Sequence, residues 1–240
     1  FNLKGNENFH IKLIIQDKTS LELISDLRNT EINTNINDLY KKKNEILKTK
    51  IYIHDVSLPT YYIENNKFKV FFDNKNNGYF SLGTFFDNEI KQLNFNDGFY
   101  VYLELDHFKI DNLQIKFDLE NDSNLKLMKL KIKKLEFFKN TYKNQGFEID
   151  FSQNETYASF NGNNLNGNLR IDSTGFIRID VFDTKFEFNG INIFESDDSL
   201  KQDDINLRFV GKNIQVFNDT FDDIDFYLLR NKTITTVDNI

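Results

Sequence analysis

The chain has 240 residues, a mass of 28.5 kDa, a formal charge of −7 and an isoelectric point near 5.1. Its lysines are spread, apart from Lys41–Lys43 and a series between Lys126 and Lys134, so it lacks the basic footprint of a nucleic-acid binder. With 39% hydrophobic and 15% aromatic residues it is too apolar for disorder, and no run approaches the roughly 18 apolar residues of a membrane-spanning helix.

The chain has no cysteine, which removes disulfides, thiolate metal sites and cysteine nucleophiles together. It begins at Phe1 and its one methionine is Met128, the expectation being a processed chain or an excised piece. It carries 34 asparagines and a single alanine, Ala158. Asn, Lys, Ile and Phe share AT-rich codons, so nucleotide bias explains the asparagine load and the sequons at Asn121, Asn154, Asn218 and Asn231.

Along the chain the recurring signal is period-two alternation, the mark of strands with two unlike faces. It opens at His10–Ile15, continues through Leu21 and Leu23, Ile51 and Ile53, then Phe68, Val70 and Phe72. Phe99, Val101, Leu103 and Leu105 alternate with Tyr100, Tyr102, Glu104 and Asp106, and Leu113, Ile115 and Phe117 follow. The second half repeats the pattern from Phe147, Ile149 and Phe151 to Ile224, Phe226 and Leu228. Asn, Asp and Gly clusters at 74–78, 94–98, 161–167 and 196–204 predict tight turns between the runs. The whole reads as about a dozen short strands. Leu125, Met128, Ile132 and Leu135 also fit helical spacing, but strand with a bulge is the better reading among strands on both sides. Residues 36–47 predict a short helix or a long loop.

Catalytic chemistry is not signalled. His10, His54 and His107 are far apart and read as ordinary strand residues. No metalloprotease, calcium-loop, nucleophile-elbow or phosphate-loop pattern occurs. Asp222, Asp223 and Asp225 crowd together, with Asp223 and Asp225 on the wet face opposite Ile224 and Phe226. The expectation is a non-enzyme without cofactor or metal. The apolar face remains to be explained, either as the core of two facing sheets or as one curled sheet holding an apolar ligand.

Two stretches bear on that choice. Leu21–Ile32, with the sequence Leu-Glu-Leu-Ile-Ser-Asp-Leu-Arg-Asn-Thr-Glu-Ile and followed by Leu39 and Lys41–Lys43, resembles a recurring element of the YhdP branch of the AsmA-like proteins. Leu165–Ile171 resembles that family's "G-x-L-x-I" strand entry, followed by Asp204–Leu207 and Phe221–Phe226. The order of elements is similar over most of residues 1–240. Asn29 replaces the family's glycine, and Asn35–Asp38 its proline-bearing loop.

The resemblance implies an all-β fold, an extended antiparallel meander curled into an elongated, β-taco-like groove with few or no helices. It implies one segment over residues 1–240 with no internal boundary. It further implies a periplasmic protein, anchored in the inner membrane elsewhere in its chain, that moves phospholipids toward the outer membrane and brings no catalytic residues. Phospholipid acyl chains are the expected partner, with Phe186, Phe188, Ile191, Ile193, Ile205, Leu207, Phe209, Ile214, Val216, Phe226 and Leu228 as groove-lining candidates. Two other classes stay open. One is a closed β-sandwich binding or adhesion module. The other is an outer-membrane barrel, which needs outward apolar strands of roughly 9–11 residues with aromatic girdles.

Overall fold

The computed structural model describes residues 2–34, 36–93, 95, 97–110, 124–137, 140–151, 155–186, 205–216, 218–230 and 235–239. Among these the chain is all-β, with one four-residue helix and a 3-10 turn at Asn37–Leu39. Two compact units form, Phe1–Asp106 with Asp122–Leu130, and His107–Asn121 with Lys131–Ile240.

The first unit begins with β1 (Asn2–Lys4), β2 (His10–Ile15), β3 (Thr19–Ser25) and β4 (Glu31–Asn33). It continues through β5 (Thr49–His54), β6 (Thr60–Glu64), β7 (Phe68–Phe72), β8 (Gly78–Leu82) and helix α1 (Asp87–Ile90). β9 (Phe99–Ile110) and β10 (Leu125–Phe137) contribute residues to both units. β1 and β4 form a two-stranded ladder, while β2-β3-β5-β6-β7-β8-β9 lie side by side in that order. Such chain-ordered pairing follows from tight turns. Asp73 shows the mechanism: its carboxylate accepts from the N–H groups of Lys75 at 2.8 Å and Asn77 at 2.9 Å, with Asn76 at φ 61°.

The segment 25–49 is a built corner. Ser25 Oγ accepts from Leu27 N–H at 3.1 Å, and Leu27 itself takes φ 45°. Lys41 is 1% exposed, its ammonium donating to the carbonyls of Thr30 at 2.6 Å and Lys42 at 3.1 Å. Desolvation pushes that ammonium's pKa down, opposed by the nearby carboxylates of Glu45 and Glu7.

The second unit continues with β11 (Asn140–Phe151), β12 (Glu155–Asn161), β13 (Asn166–Asp172) and β14 (Ile177–Phe186). β15 (Ile205–Val216), β16 (Asp219–Arg230) and β17 (Thr235–Asn239) complete it, and these seven strands also pair in chain order. Several strands are longer than the alternation suggests because they bend without breaking their ladder. In β11, β14 and β15 two successive exposed residues interrupt the alternation, and the second of each pair is left-handed: Asn144 (φ 54°), Asp183 (φ 45°) and Asn213 (φ 51°). Asn and Asp tolerate this region best among residues with a side chain. Beneath the bends Tyr142, Gln145, Val181, Thr184 and Ile214 are buried. β10 has the same signature, with exposed Lys133 and Lys134 between sealed Ile132 and Leu135. The stretch 125–137 is therefore strand, as preferred, with its change of phase at 133–134.

Two expectations change. The sheet is mixed, because β8 pairs with β9 and β14 with β15 in parallel. Parallel neighbours need a crossover. The first crossover carries α1; the second, residues 187–204, and the run Leu113–Phe117 lie outside the described residues. The second correction concerns burial in the first unit, where α1 and its flanks cover the tyrosine face. Phe86, Ile90, Tyr79 and Tyr102 form a cluster joined by Phe71, Phe95 and Tyr100. Glu104 anchors the crossover by accepting from Thr84 and Phe85 N–H, and Lys69 pairs with Asp87 at 2.6 Å.

Tyr102 is 0% exposed, so Tyr102→Ala should destabilise the chain by about 3–5 kcal/mol, as for other large aromatic deletions in cores. Urea unfolding followed by tyrosine fluorescence measures this. Leu58→Ala, at an exposed turn, should stay within about 0.5 kcal/mol of the parent.

Candidate functional site

Side chains at paired positions of neighbouring strands project on the same side, so register converts strand alternation into rows running across the sheet. In the second unit three such rows occupy one face. The first is Phe151–Thr156–Ile171–Ile177–Leu207–Leu228. The middle one is Ile149–Ala158–Leu169–Ile179–Phe209–Phe226, and the third is Phe147–Phe160–Gly167–Val181–Gly211–Ile224. Every residue of the middle row is half-buried. Phe209 and Phe226 stack at 5.2 Å, and Phe147 and Phe160 sit 6.2 Å apart. The glycines in the third row sit where a side chain would clash: a Cβ on Gly167 would lie 2.3 Å from the Asp180 carbonyl oxygen and 2.7 Å from the Phe160 ring, and one on Gly211 2.8 Å from Ile214 and 3.1 Å from the Phe209 ring.

The first unit has the same construction. One row is Ile11–Leu23–Ile51–Ile63–Val70–Phe80–Val101, and beside it runs Leu13–Leu21–Ile53–Tyr61–Phe72–Gly78–Phe99. Tyr61 and Phe72 stack at 4.7 Å. From Leu21 and Leu23 onward the side chains of both rows are half-buried, with the glycine alone sealed. Within each unit, the extensive strand–strand contacts among the described residues join hydrogen-bonded neighbours.

The opposite face of the second unit carries charge. Three of the chain's five arginines align in register as Tyr157–Arg170–Arg178–Arg208–Tyr227. Like charges on adjacent strands repel, and each is compensated by its own carboxylate. Arg170 pairs with Glu155 at 2.6 Å, Arg178 with Asp180 at 2.9 Å and Arg208 with Asp225 at 2.7 Å. Arg208 also lies 5.7 Å from the centre of the Tyr227 ring. This ladder is internally neutralised, so it offers no unpaired positive site.

Of the groove candidates read from sequence, Leu207, Phe209, Phe226 and Leu228 fall in the apolar rows and are half-buried. Phe186 and Val216 are half-buried partners beyond the bend. Ile214 is sealed at 1% exposure beneath it, so it packs the corner. Ile205 opens β15 opposite Arg230. Phe188, Ile191 and Ile193 lie outside the described residues. Sequence reasoning did not single out Ile149, Ala158, Leu169 or Ile179 as site residues, although Ile149, Leu169 and Ile179 stood in alternating runs; only register aligns the four with Phe209. His54 Nδ1 lies 3.2 Å from Ser20 Oγ, and His107 Nε2 lies 3.2 Å from Glu136.

No family model, curated protein or solved structure matches the chain.

The Arg208 guanidinium donates to both oxygens of Asp225, at 3.2 and 2.7 Å, and holds that carboxyl below its ordinary range. A carboxyl lowered in the folded state adds stability above its unfolded pKa and loses it as pH falls through the lowered value. Asp225→Asn should therefore be less stable than the parent at neutral pH. The two should converge as pH falls through the lowered carboxyl pKa, beneath the ordinary Asp range, measured by urea unfolding across a pH series.

Proposed function

We propose that the chain is a non-enzymatic carrier of lipid acyl chains, held along the apolar rows of a sheet curled into an elongated groove. In this reading it is a segment of a longer AsmA-like protein of the YhdP branch, in the periplasm of a Gram-negative bacterium. A region outside these residues anchors it in the inner membrane, and the groove supports phospholipid movement between inner and outer membranes.

The observation that carries the reading is the middle row Ile149–Ala158–Leu169–Ile179–Phe209–Phe226, apolar on six successive strands and half-buried on all six. A sandwich core would seal such a row against a second sheet. The chemistry also suits a mobile ligand. Each methylene removed from water gains about 0.8 kcal/mol, so six of them gain about 5 kcal/mol at full burial. The row offers no side-chain hydrogen bond that would trap a headgroup at one point. The arginine row lies on the opposite face, each guanidinium beside its own carboxylate.

Native mass spectrometry of the purified chain, with extraction and quantification of retained lipid, tests this. Phospholipid should co-purify or be taken up from vesicles. Replacing Ile179 and Phe209 together by Asp should lower the retained lipid at least about tenfold, a loss of 1.4 kcal/mol or more. Arg178→Ala, on the charged face, should retain it. A well-folded parent that never holds lipid overturns the reading.

A further inference from the structure

The apolar rows of the first unit run out at β2, where they are barely covered: Ile11 is 66% exposed, Leu13 54% and Ile15 73%. Among the described residues β2 pairs with β3 on one side only. Natural sheet edges are usually blunted by proline, bulges, brevity or inward-pointing charge. β2 is six residues, His-Ile-Lys-Leu-Ile-Ile, paired with β3 without interruption from His10–Ile24 to Ile15–Thr19, and its side-chain charge is Lys12 with a titratable His10.

We propose that this edge is an interface for a second copy of the chain, joined β2 to β2 in antiparallel register about a two-fold axis through Leu13. The sequence is self-complementary in that register. Leu13 faces Leu13, Ile11 faces Ile15, Lys12 faces Ile14 and His10 faces Gln16. Residues paired across an antiparallel ladder project on the same side, so the apolar faces of both copies lie on one side of the joint sheet. The row Leu13–Phe99 then continues across the axis into the same row of the second copy, and the row ending at Ile11 meets Ile15 of that copy. The neighbouring two-fold register, centred on Lys12, sets two ammonium groups opposite each other and is disfavoured. β17, Thr-Thr-Val-Asp-Asn, carries one large apolar residue and matches β2 poorly. The inference is independent of the acyl-chain reading.

The absence of cysteine makes the register directly testable. Under mild oxidation Leu13→Cys should form a covalent homodimer, because directly opposed antiparallel residues have Cα atoms about 4.5–5.5 Å apart. Lys12→Cys and Ile11→Cys alone should cross-link poorly, while a mixture of Ile11→Cys and Ile15→Cys chains should form the heterodimer. The parent should sediment at twice its 28.5 kDa monomer mass, and Leu13→Lys should sediment as a monomer with an unchanged circular dichroism spectrum. If Leu13→Lys misfolds, the cysteine series still decides the register. A parent that stays monomeric at its highest soluble concentration overturns the proposal. So does Lys12→Cys cross-linking as fast as Leu13→Cys, or sedimentation as an open-ended series of oligomers.

Discussion

The register of the backbone ladder is the constraint on which the rest of this structure depends. Because side chains alternate with period two, a slip of one residue in any pairing would move every following side chain to the other face. In the second unit such a slip would bring Arg178 into line with Ile171 and Leu207, among the phenylalanine rows, and expose Ile177 and Ile179 among the guanidinium groups. Burial on one face and paired charge on the other therefore specify the same register. The sorting of Phe209 from Arg208 on adjacent positions is its local expression.

The bends show how a long strand is kept in register through a change of direction. A left-handed Asn or Asp costs less than it would at a β-branched position, and it leaves the backbone able to resume pairing immediately. Where two bent strands lie side by side, the side chains of the bend residues support each other: Asn213 donates to Asp183 at 2.6 Å. Below them Thr184 accepts from the Asn166 N–H at 3.1 Å and donates to the carbonyl of Phe182 at 2.9 Å, so its buried hydroxyl is satisfied at the corner. The corners are thus sealed in the second unit; of the apolar rows beside them the middle one is half-buried throughout, while Thr156 and Ile171 of the first and Gly167, Val181 and Gly211 of the third are sealed.

This division suits the proposed role. A face that binds apolar chains gains affinity from area alone and does not demand a particular pose. Tight packing sits at the bends of the second unit and, in the first, under α1 and among Ile32, Leu39, Leu47, Leu82 and Leu105, which are sealed as well. Removing side chains from the half-buried middle row should therefore change ligand retention more than folding, while removal at the corners should do the reverse. The arginine ladder contributes on the far side by tying β12 to β13 through Arg170–Glu155 and β15 to β16 through Arg208–Asp225, with the Arg178–Asp180 pair of β14 aligned between them.

Much of this was written in local sequence. Period-two alternation placed Phe99–Leu105, Phe147–Phe151 and Ile224–Leu228 in strands, because the pleat is a property of neighbouring residues on one chain. The clusters at 74–78 and 161–167 placed turns for the same reason, whereas 94–98 falls in the crossover between β8 and β9 and 196–204 lies outside the described residues. What remained for the tertiary structure was everything that depends on residues distant in sequence. Nothing local told that Tyr102 would be sealed while Val101 stayed half-exposed: the residues that cover it, Phe86 and Ile90, arrive on a crossover. The parallel pairing of β14 with β15 was equally hidden, since alternation is identical in both orientations. Nor could three scattered arginines be seen as one row before β13, β14 and β15 had been set in register. The chain by itself determined which residues share a face of a strand; the ladder alone decided which faces of different strands meet, because pairing is chosen by partners far along the chain.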